Sequence, residues 1–268
     1  PLFATCVLGA STVLLAGSRA QKEAVLPRVA RGELCLALAL EESHRHDPPG
    51  VRLEATRHGE GFRLNGSKQF VLDGHSADQL VVVARSRGTA GQTDGISLFL
   101  VDANARGIER KRTLLMDSRN AARIEFVNVD VGADALLGAE GATWLALEQV
   151  LDRGRAAIAA EMLGGVQETF ERTVDYLKQR EQFGTKIGTF QALQHRAAHM
   201  FSEIELLKSV VLDACANVDA NPALLPLSAS RAKTKANDNC EMGRKEAVQL
   251  HGGLSTTGAI NVGMSVTS

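Results

Sequence analysis

The spacing of apolar residues changes twice along this chain, and that change limits the fold more than any other feature. From residue 34 to about 137, apolar positions alternate with polar ones or come in short blocks, the patterns of half-buried and buried strands. From about 140 onward they recur every three or four residues, which is the face of a helix. Residues 1 to about 33 also read as helical. Helices, then a block of strands, then helices is the order of an α+β protein, not of an alternating α/β one. The expected domains are a partial N-terminal helical segment (1–33), a central antiparallel β domain, barrel-like (34–137), and an incomplete C-terminal helical bundle (138–268).

Local signals refine this outline. Ser18 and Gln21 have the spacing of a capping box that opens a helix, which Pro27 should interrupt or end and Gly32 should close. Strands are expected at Leu34–Leu40, Val51–Thr56, Phe62–Leu64, Ser67–Leu72, Gln79–Ala84, Ile96–Val101 and Ala122–Val127. Turns are expected at Gly59-Glu60-Gly61, Asn65-Gly66 and Asp73-Gly74, and Asn65-Gly66 is the strongest hairpin signal of the three. Gly88–Gly95, rich in Gly and Thr, reads as a mobile loop. In the bundle, Leu147, Leu151, Ile158, Met162, Val166, Phe170, Val174 and Leu177 form one helix face. Phe190, Leu193, Ala197, Met200, Ile204, Leu207, Val211 and Ala214 form a second, and a third helix runs from about Pro226 to Gln249 before Gly252-Gly253.

Composition excludes some classes. Thirty Lys+Arg against thirty-one Asp+Glu leaves a net charge of −1, and aromatics are only 4% of residues, so neither a cationic footprint nor stacking platforms for nucleic acid are expected. Cys6, Cys35, Cys215 and Cys240 are widely spaced, which points to reduced thiols in a cytoplasmic protein and not to zinc or a disulfide framework. Leu2–Ala16 is apolar like a signal peptide, but it has no basic flank and is too short to span a bilayer, so it reads as a buried helix. The absent initiator Met suggests a fragment or a processed chain. His195 and His199 lie four apart on a helix and could hold a metal, yet the sequence nominates no third ligand, and a solvated bundle face is preferred. No Rossmann glycine motif, P-loop, H-E-x-x-H or G-x-S-x-G occurs.

A series of short motifs, in order, resembles the acyl-CoA dehydrogenase family. They are Gly17-Ser18-x-x-Gln21-Lys22, Leu26-Pro27, Gly32-Glu33, Asn65-Gly66-Ser67-Lys68, and Thr93-Asp94-Gly95 leading into Ile96–Val101. The strongest are Arg180-Glu181-Gln182-Phe183-Gly184 with Phe190-Gln191, and Gln249-Leu250-His251-Gly252-Gly253. Phe190–Arg196 further resembles the small subunit of pimeloyl-CoA dehydrogenase. Each motif alone is a common helix end or cap; their order over the whole chain carries the resemblance.

The resemblance implies FAD, held in such enzymes between a β unit and a bundle, and an acyl-CoA substrate. A base takes the α-proton of the thioester, hydride leaves the β-carbon for the flavin, and an electron-transfer acceptor reoxidises it. By similarity, Phe70, Val71 and Leu72 lie along the flavin ring, with Phe70 where the family often has Trp. Leu40 and Leu72 replace Thr hydroxyls, and ordinary β-core is an equal reading for both. Arg180 matches an arginine that meets the FAD pyrophosphate of a neighbouring subunit, a role suited to the guanidinium fork. Gln182, Phe183, Gln249, Gly252 and Gly253 match other FAD contacts, although each could simply be helix-end packing. His46, in the segment Leu40–Asp47, matches a position near the CoA arm or is a solvated loop histidine, and Asp152 and Arg155 match the substrate side or form an i, i+3 surface pair. Most family members carry the catalytic base as a Glu beyond Gly-Gly, past Ser268; others carry it on the long helix, where this sequence has Gly154. No residue of the chain is assigned as base. A shared cofactor implies a dimer or tetramer, possibly hetero-oligomeric. The contrasting reading is a non-catalytic subunit beside an active homologue.

Overall fold

The computed structural model describes residues 2–115 and 119–252. Two compact units meet in sequence at Leu151/Asp152. The first opens with a π-helical stretch, Leu2–Ala10, that continues as α1 (Ser11–Ala16) and buries Thr5, Thr12 and Val13. The capping box is present at the start of α2 (Arg19–Ala30), where Ser18 and Gln21 satisfy each other's backbone N–H. Pro27 does not break α2: it sits in the last turn, and its carbonyl accepts the N–H of Arg31. A proline removes only one donor, and here the helix needs just three more residues.

The strands are β1 (Leu36–Ala39), β2 (Glu54–His58), β3 (Gly61–Leu72), β4 (Gln79–Arg85), β5 (Ile96–Asp102), β6 (Ile108–Leu114), β7 (Asn120–Val131) and β8 (Leu136–Leu137). They form one sheet in the order β6-β7-β3-β2-β4-β5-β8, with β1 also on β4. The α+β class holds, but the domain is neither fully antiparallel nor closed. β1 and β2 both run parallel to β4, an arrangement set by long-range pairing and invisible to hairpin signals. One edge, β6, carries Arg110, Lys111 and Arg112; the other, β8, is two residues long; both features keep an open edge from pairing further. The same run of charges hides β6 from the sequence pattern, because it destroys the alternation.

Asn65-Gly66 is not a hairpin turn. β3 runs through it unbroken, and the register with β7 slips there instead. Gly66 has φ +141°, and a Cβ on it would lie 2.9 Å from the Cα of Leu53, so glycine makes a bulge beside a close backbone neighbour. The loop Gly88–Gly95, expected to be mobile, is pinned. Arg85, buried, donates to the carbonyls of Pro49, Val51, Gln92 and Asp94, and Arg87 pairs with Asp94. Burial lowers the Arg85 pKa, against the raising effect of Glu42 and Asp94.

β3 sends alternate residues inward, and one of them is Lys68, fully buried. Its Nζ donates to the Leu40 carbonyl (2.9 Å) and to Glu42 Oε1 (2.8 Å). Glu42 also accepts the N–H groups of Arg52 and Leu53, each at 2.8 Å. Desolvation pulls the Lys68 pKa down to about 8, against the opposing pull of Glu42 and Glu41.

The second unit contains three long helices. α3 (Trp144–Gln179) begins in the first unit, where Leu147 and Val150 are core residues, and continues in the second. A hairpin of β9 (Glu181–Gln182) and β10 (Thr185–Lys186) leads to α4 (Gln191–Ala220) and α5 (Leu225–His251). α4 buries the expected face from Met200 to Ala214, whereas Leu193 and Ala197 in its first turns are half-buried and Phe190, just before the helix, is exposed. α3 does so only in part: Leu151, Ile158, Met162, Phe170 and Val174 are half-buried, and the most buried line passes through Ala159, Val166, Thr169 and Thr173. The buried positions of α5 include small residues (Ala229, Ala232, Ala236, Gly243, Ala247), and the helix packed most closely along it is α4. A Cβ on Gly243 would come within 2.5 Å of Val166 Cγ2. Among the described residues, no helix is long and apolar enough to cross a membrane.

Two predictions follow from this packing. Gly243→Val should lower stability by about 2 kcal/mol in urea denaturation despite a gain in helix propensity, because the α3–α5 contact has no room. Lys68→Met should cost about 3 kcal/mol by leaving Glu42 without its buried cation. The folded pKa of Lys68 lies below its unfolded value, so the unfolded chain binds more protons between about pH 8 and pH 10.5. Wild-type stability should therefore rise relative to Lys68→Met across that window; parallel pH profiles of the two proteins would contradict the shift.

Candidate functional site

In the first unit the anticipated ring-facing residues gather at a second bulge in β3. Lys68 pairs with Ile124 and Val71 with Ala122, so Gln69 and Phe70 together oppose Arg123 alone. Phe70 has φ +50° and is 41% exposed, an unfavourable conformation and an unfavourable exposure for an aromatic residue. The surrounding structure enforces it. Gln69 N–H donates to the Glu41 carbonyl at 2.7 Å, and Asp73 N–H to the Asn120 carbonyl at 2.8 Å. Arg110 Nη1 donates to the carbonyls of Gly74, His75 and Ala77 in the following loop.

The other expected residues fall on different sides of the same region. Val71 is in the sheet core and Leu72 is half-buried. The side chain of Leu40 is 5% exposed, packed with Val51, Val81, Val83 and Leu98. Leu40 reaches the bulge only through its carbonyl, on Lys68. Beside it opens a cleft of roughly 380 Å³, lined among others by Glu41, Arg45, Asp47, Arg52 and Ser67. His46 is exposed and pairs with Glu41 five residues back, Nδ1 to Oε1 2.5 Å. Lys68 and Glu42 organise this region, and the sequence reading passed over both as site residues. The usable signal was a lysine at an inward position of a strand, where an anion must be near.

In the second unit, Arg180 directly follows α3. Its N–H donates to the Tyr176 carbonyl (2.8 Å), while its side chain is exposed and makes no hydrogen bond or ion pair among the described residues. The β9–β10 hairpin turns at Phe183 (φ +56°) and Gly184 (φ +76°), the pair of positive φ values of a tight two-residue hairpin. Phe183 is 91% exposed and meets Phe190 edge-on, centroids 6.4 Å apart. Gln182 is exposed and donates to the Glu181 carbonyl. Gln249 is exposed on the last turn of α5, and Gly252 caps that helix at φ +60° with its N–H on the Gln249 carbonyl. Gly253 lies outside the described residues. Tyr176 stacks on His251, centroids 4.5 Å apart, which joins the Arg180 end of α3 to the Gly252 end of α5.

Asp152 and Arg155 are not part of that group. They form the i, i+3 ion pair on α3 that the spacing allowed, with Asp152 buried and Arg155 partly exposed. At 1.5 Å per residue, the helix separates Asp152 from Gln179 by roughly 40 Å. Gly154, between them, is buried. His195 and His199 are both exposed on α4, and the described residues hold no group of three His, Cys, Asp or Glu able to bind a metal.

Known proteins match this chain along nearly its whole length. Residues 35–129 match the family described as acyl-CoA dehydrogenase, middle domain, and residues 141–265 match acyl-CoA dehydrogenase, C-terminal domain. The mitochondrial long-chain specific acyl-CoA dehydrogenase of Mus musculus is 35% identical over 242 residues, 88% of this chain and 56% of that protein. The short-chain specific acyl-CoA dehydrogenase of Megasphaera elsdenii is 31% identical over 258 residues, 94% of this chain and 67% of that one. The solved structure of butyryl-CoA dehydrogenase from Megasphaera elsdenii superposes with a TM-score of 0.92 at 29% identity, over 99% of this chain and 70% of that one. The chain thus spans little more than half the length of the mitochondrial relative. With both domain patterns matched in order, and the helix–sheet–helix succession shared with a solved member, the chain belongs to the acyl-CoA dehydrogenase family.

Proposed function

We propose that the protein is an FAD-dependent acyl-CoA dehydrogenase that desaturates an acyl-CoA thioester between its α and β carbons. The observation that carries this reading is Phe70, an aromatic ring held out of the core on a strained bulge. Strain that the surroundings enforce is a mark of a binding position. When bound, FAD would supply the hydride acceptor. Phe70 and Leu72, with the backbone of Leu40 and Val71, would line the flavin ring. Arg180, Gln182, Phe183, Gln249 and Gly252, continuing to Gly253, would hold the pyrophosphate end of a cofactor bound by another subunit. Arg180 suits this role because its side-chain donors are not spent among the described residues. His46, Asp152 and Arg155 would face the substrate.

The distance from Asp152 to Arg180 on one helix argues that the two groups serve different cofactor molecules. The protein would then be a dimer or tetramer, passing electrons to an external acceptor. The four cysteines are unpaired, in keeping with a reducing, cytoplasmic compartment.

A second reading is favoured by Gly154 and Leu40. Glycine offers no base on the long helix, and a core-buried leucine offers the flavin no donor. The protein would then be a non-catalytic subunit that lends Arg180 and the Gly252 turn to an active homologue.

Purified protein incubated with FAD and passed through a desalting column should remain yellow, with a flavin absorbance band. Arg180→Ala should weaken FAD binding by about tenfold to a hundredfold, the scale of a lost charge-assisted contact. Unchanged occupancy in Arg180→Ala would remove its pyrophosphate role, and colourless wild-type protein would favour the second reading.

A further inference from the structure

Arg180 and Gly252 are far apart in sequence and end different helices, and one residue touches the backbone at both places. Tyr176 stands one turn before Arg180 and accepts its N–H at 2.8 Å. The Tyr176 ring stacks on His251 at an interplanar angle of 27°, and its Oη donates to the His251 carbonyl at 3.4 Å. His251 is 3% exposed, with Nδ1 2.8 Å from the Ala247 carbonyl. A carbonyl can only accept, so Nδ1 carries a proton and the ring cannot turn without losing that bond. The next residue is the capping Gly252. Leu177, Met200 and Leu250 pack nearby as an apolar cluster joined by Tyr176.

Apolar packing is non-directional and tolerates sliding of one helix along another. A flat stack tied by hydrogen bonds at both rings does not. We infer that Tyr176 and His251 are positioning residues that set the spacing between the Arg180 guanidinium and the Gly252 turn, so that the two helix ends act as one receptor for a diphosphate-bearing nucleotide. The identity of the ligand rests on the flavin reading above; the coupling of the two ends does not.

The test compares wild type, Tyr176→Ala, His251→Ala and the ring-preserving Tyr176→Phe, using ADP, FAD and riboflavin as separate calorimetric probes on the whole chain. Loss of the stack should weaken ADP and FAD by about tenfold and leave riboflavin, which lacks the diphosphate, unchanged. Tyr176→Phe keeps the stack and loses only the long Oη bond, so it should lose clearly less ADP affinity than Tyr176→Ala; an equal loss in the two would overturn the role of the stack. Should the alanine variants fail to fold, Tyr176→Leu leaves a smaller cavity than alanine and still removes the stack. Equal ADP affinity in wild type and the stack-free variants would overturn the inference, as would an equal loss for all three ligands. Without ligand, amide exchange at Arg180 and Gly252 should accelerate together when the stack is removed; acceleration at only one end would also overturn it. A wild-type protein that binds none of the three probes would sink the flavin reading, while the exchange result would still decide the coupling.

Discussion

A lysine that points into a sheet must find an anion there, and Lys68 finds Glu42. The pair does more than neutralise itself. Glu42 takes two backbone donors from the start of β2, and Lys68 takes the carbonyl of Leu40, so one ion pair ties together β3, the chain leaving β1 and the chain entering β2. Gln69 then donates to Glu41 and the second bulge of β3 follows directly. Without this anchor the loop Leu40–Asp47 would have no fixed course and Phe70 no fixed platform. Removing one member of a buried pair is far more damaging than the net worth of the pair, because the survivor is left charged without a partner. That asymmetry makes the position intolerant of simple change.

The helical unit achieves precision by other means. α5 packs closely along α4 with buried alanines, and it meets α3 at Gly243, where a Cβ would strike the Val166 side chain. At the ends of α3 and α5 the contact becomes specific, through the Tyr176–His251 stack. The exposed groups proposed to meet a cofactor, Arg180 and Phe183 among them, sit just beyond that stack, on a hairpin and a cap that need positive φ at Phe183, Gly184 and Gly252. In both units, then, residues offered to solvent are held by buried polar or aromatic contacts immediately behind them.

The fold was largely legible because the patterns that mark it are local. Ser18 and Gln21 cap α2 as their spacing requires, the inward face of α4 from Met200 to Ala214 is the one periodicity picks out, and the motifs around Arg180 and Gly252 fall at helix ends. What could not be read depends on neighbours distant in sequence. Asn65-Gly66 has the composition of a hairpin turn, but β7 pairs along both sides of it and converts it to a bulge. β6 shows no alternation because it is an edge strand rich in charge. The loop Gly88–Gly95 looked mobile until Arg85, whose contacts are nearly all to carbonyls, tied it down. Within the candidate site, Phe70 and Arg180 were visible as motif residues. Lys68 was visible only as part of a motif, and Glu42 not at all, since a carboxylate in a polar loop carries no mark of the buried lysine it meets.

The amino-acid sequence by itself determined the element types, their order and the family, because periodicity, capping and short motifs act through residues a few positions apart. Tertiary structure alone decided that β1 and β2 run parallel to β4, that the sheet stays open, that Leu40 turns its side chain to the core while Phe70 turns outward, and that the ends of α3 and α5 meet. Each of these depends on which distant segments share a hydrogen-bond ladder or a packed surface, and that is settled by burial and backbone satisfaction over the whole unit.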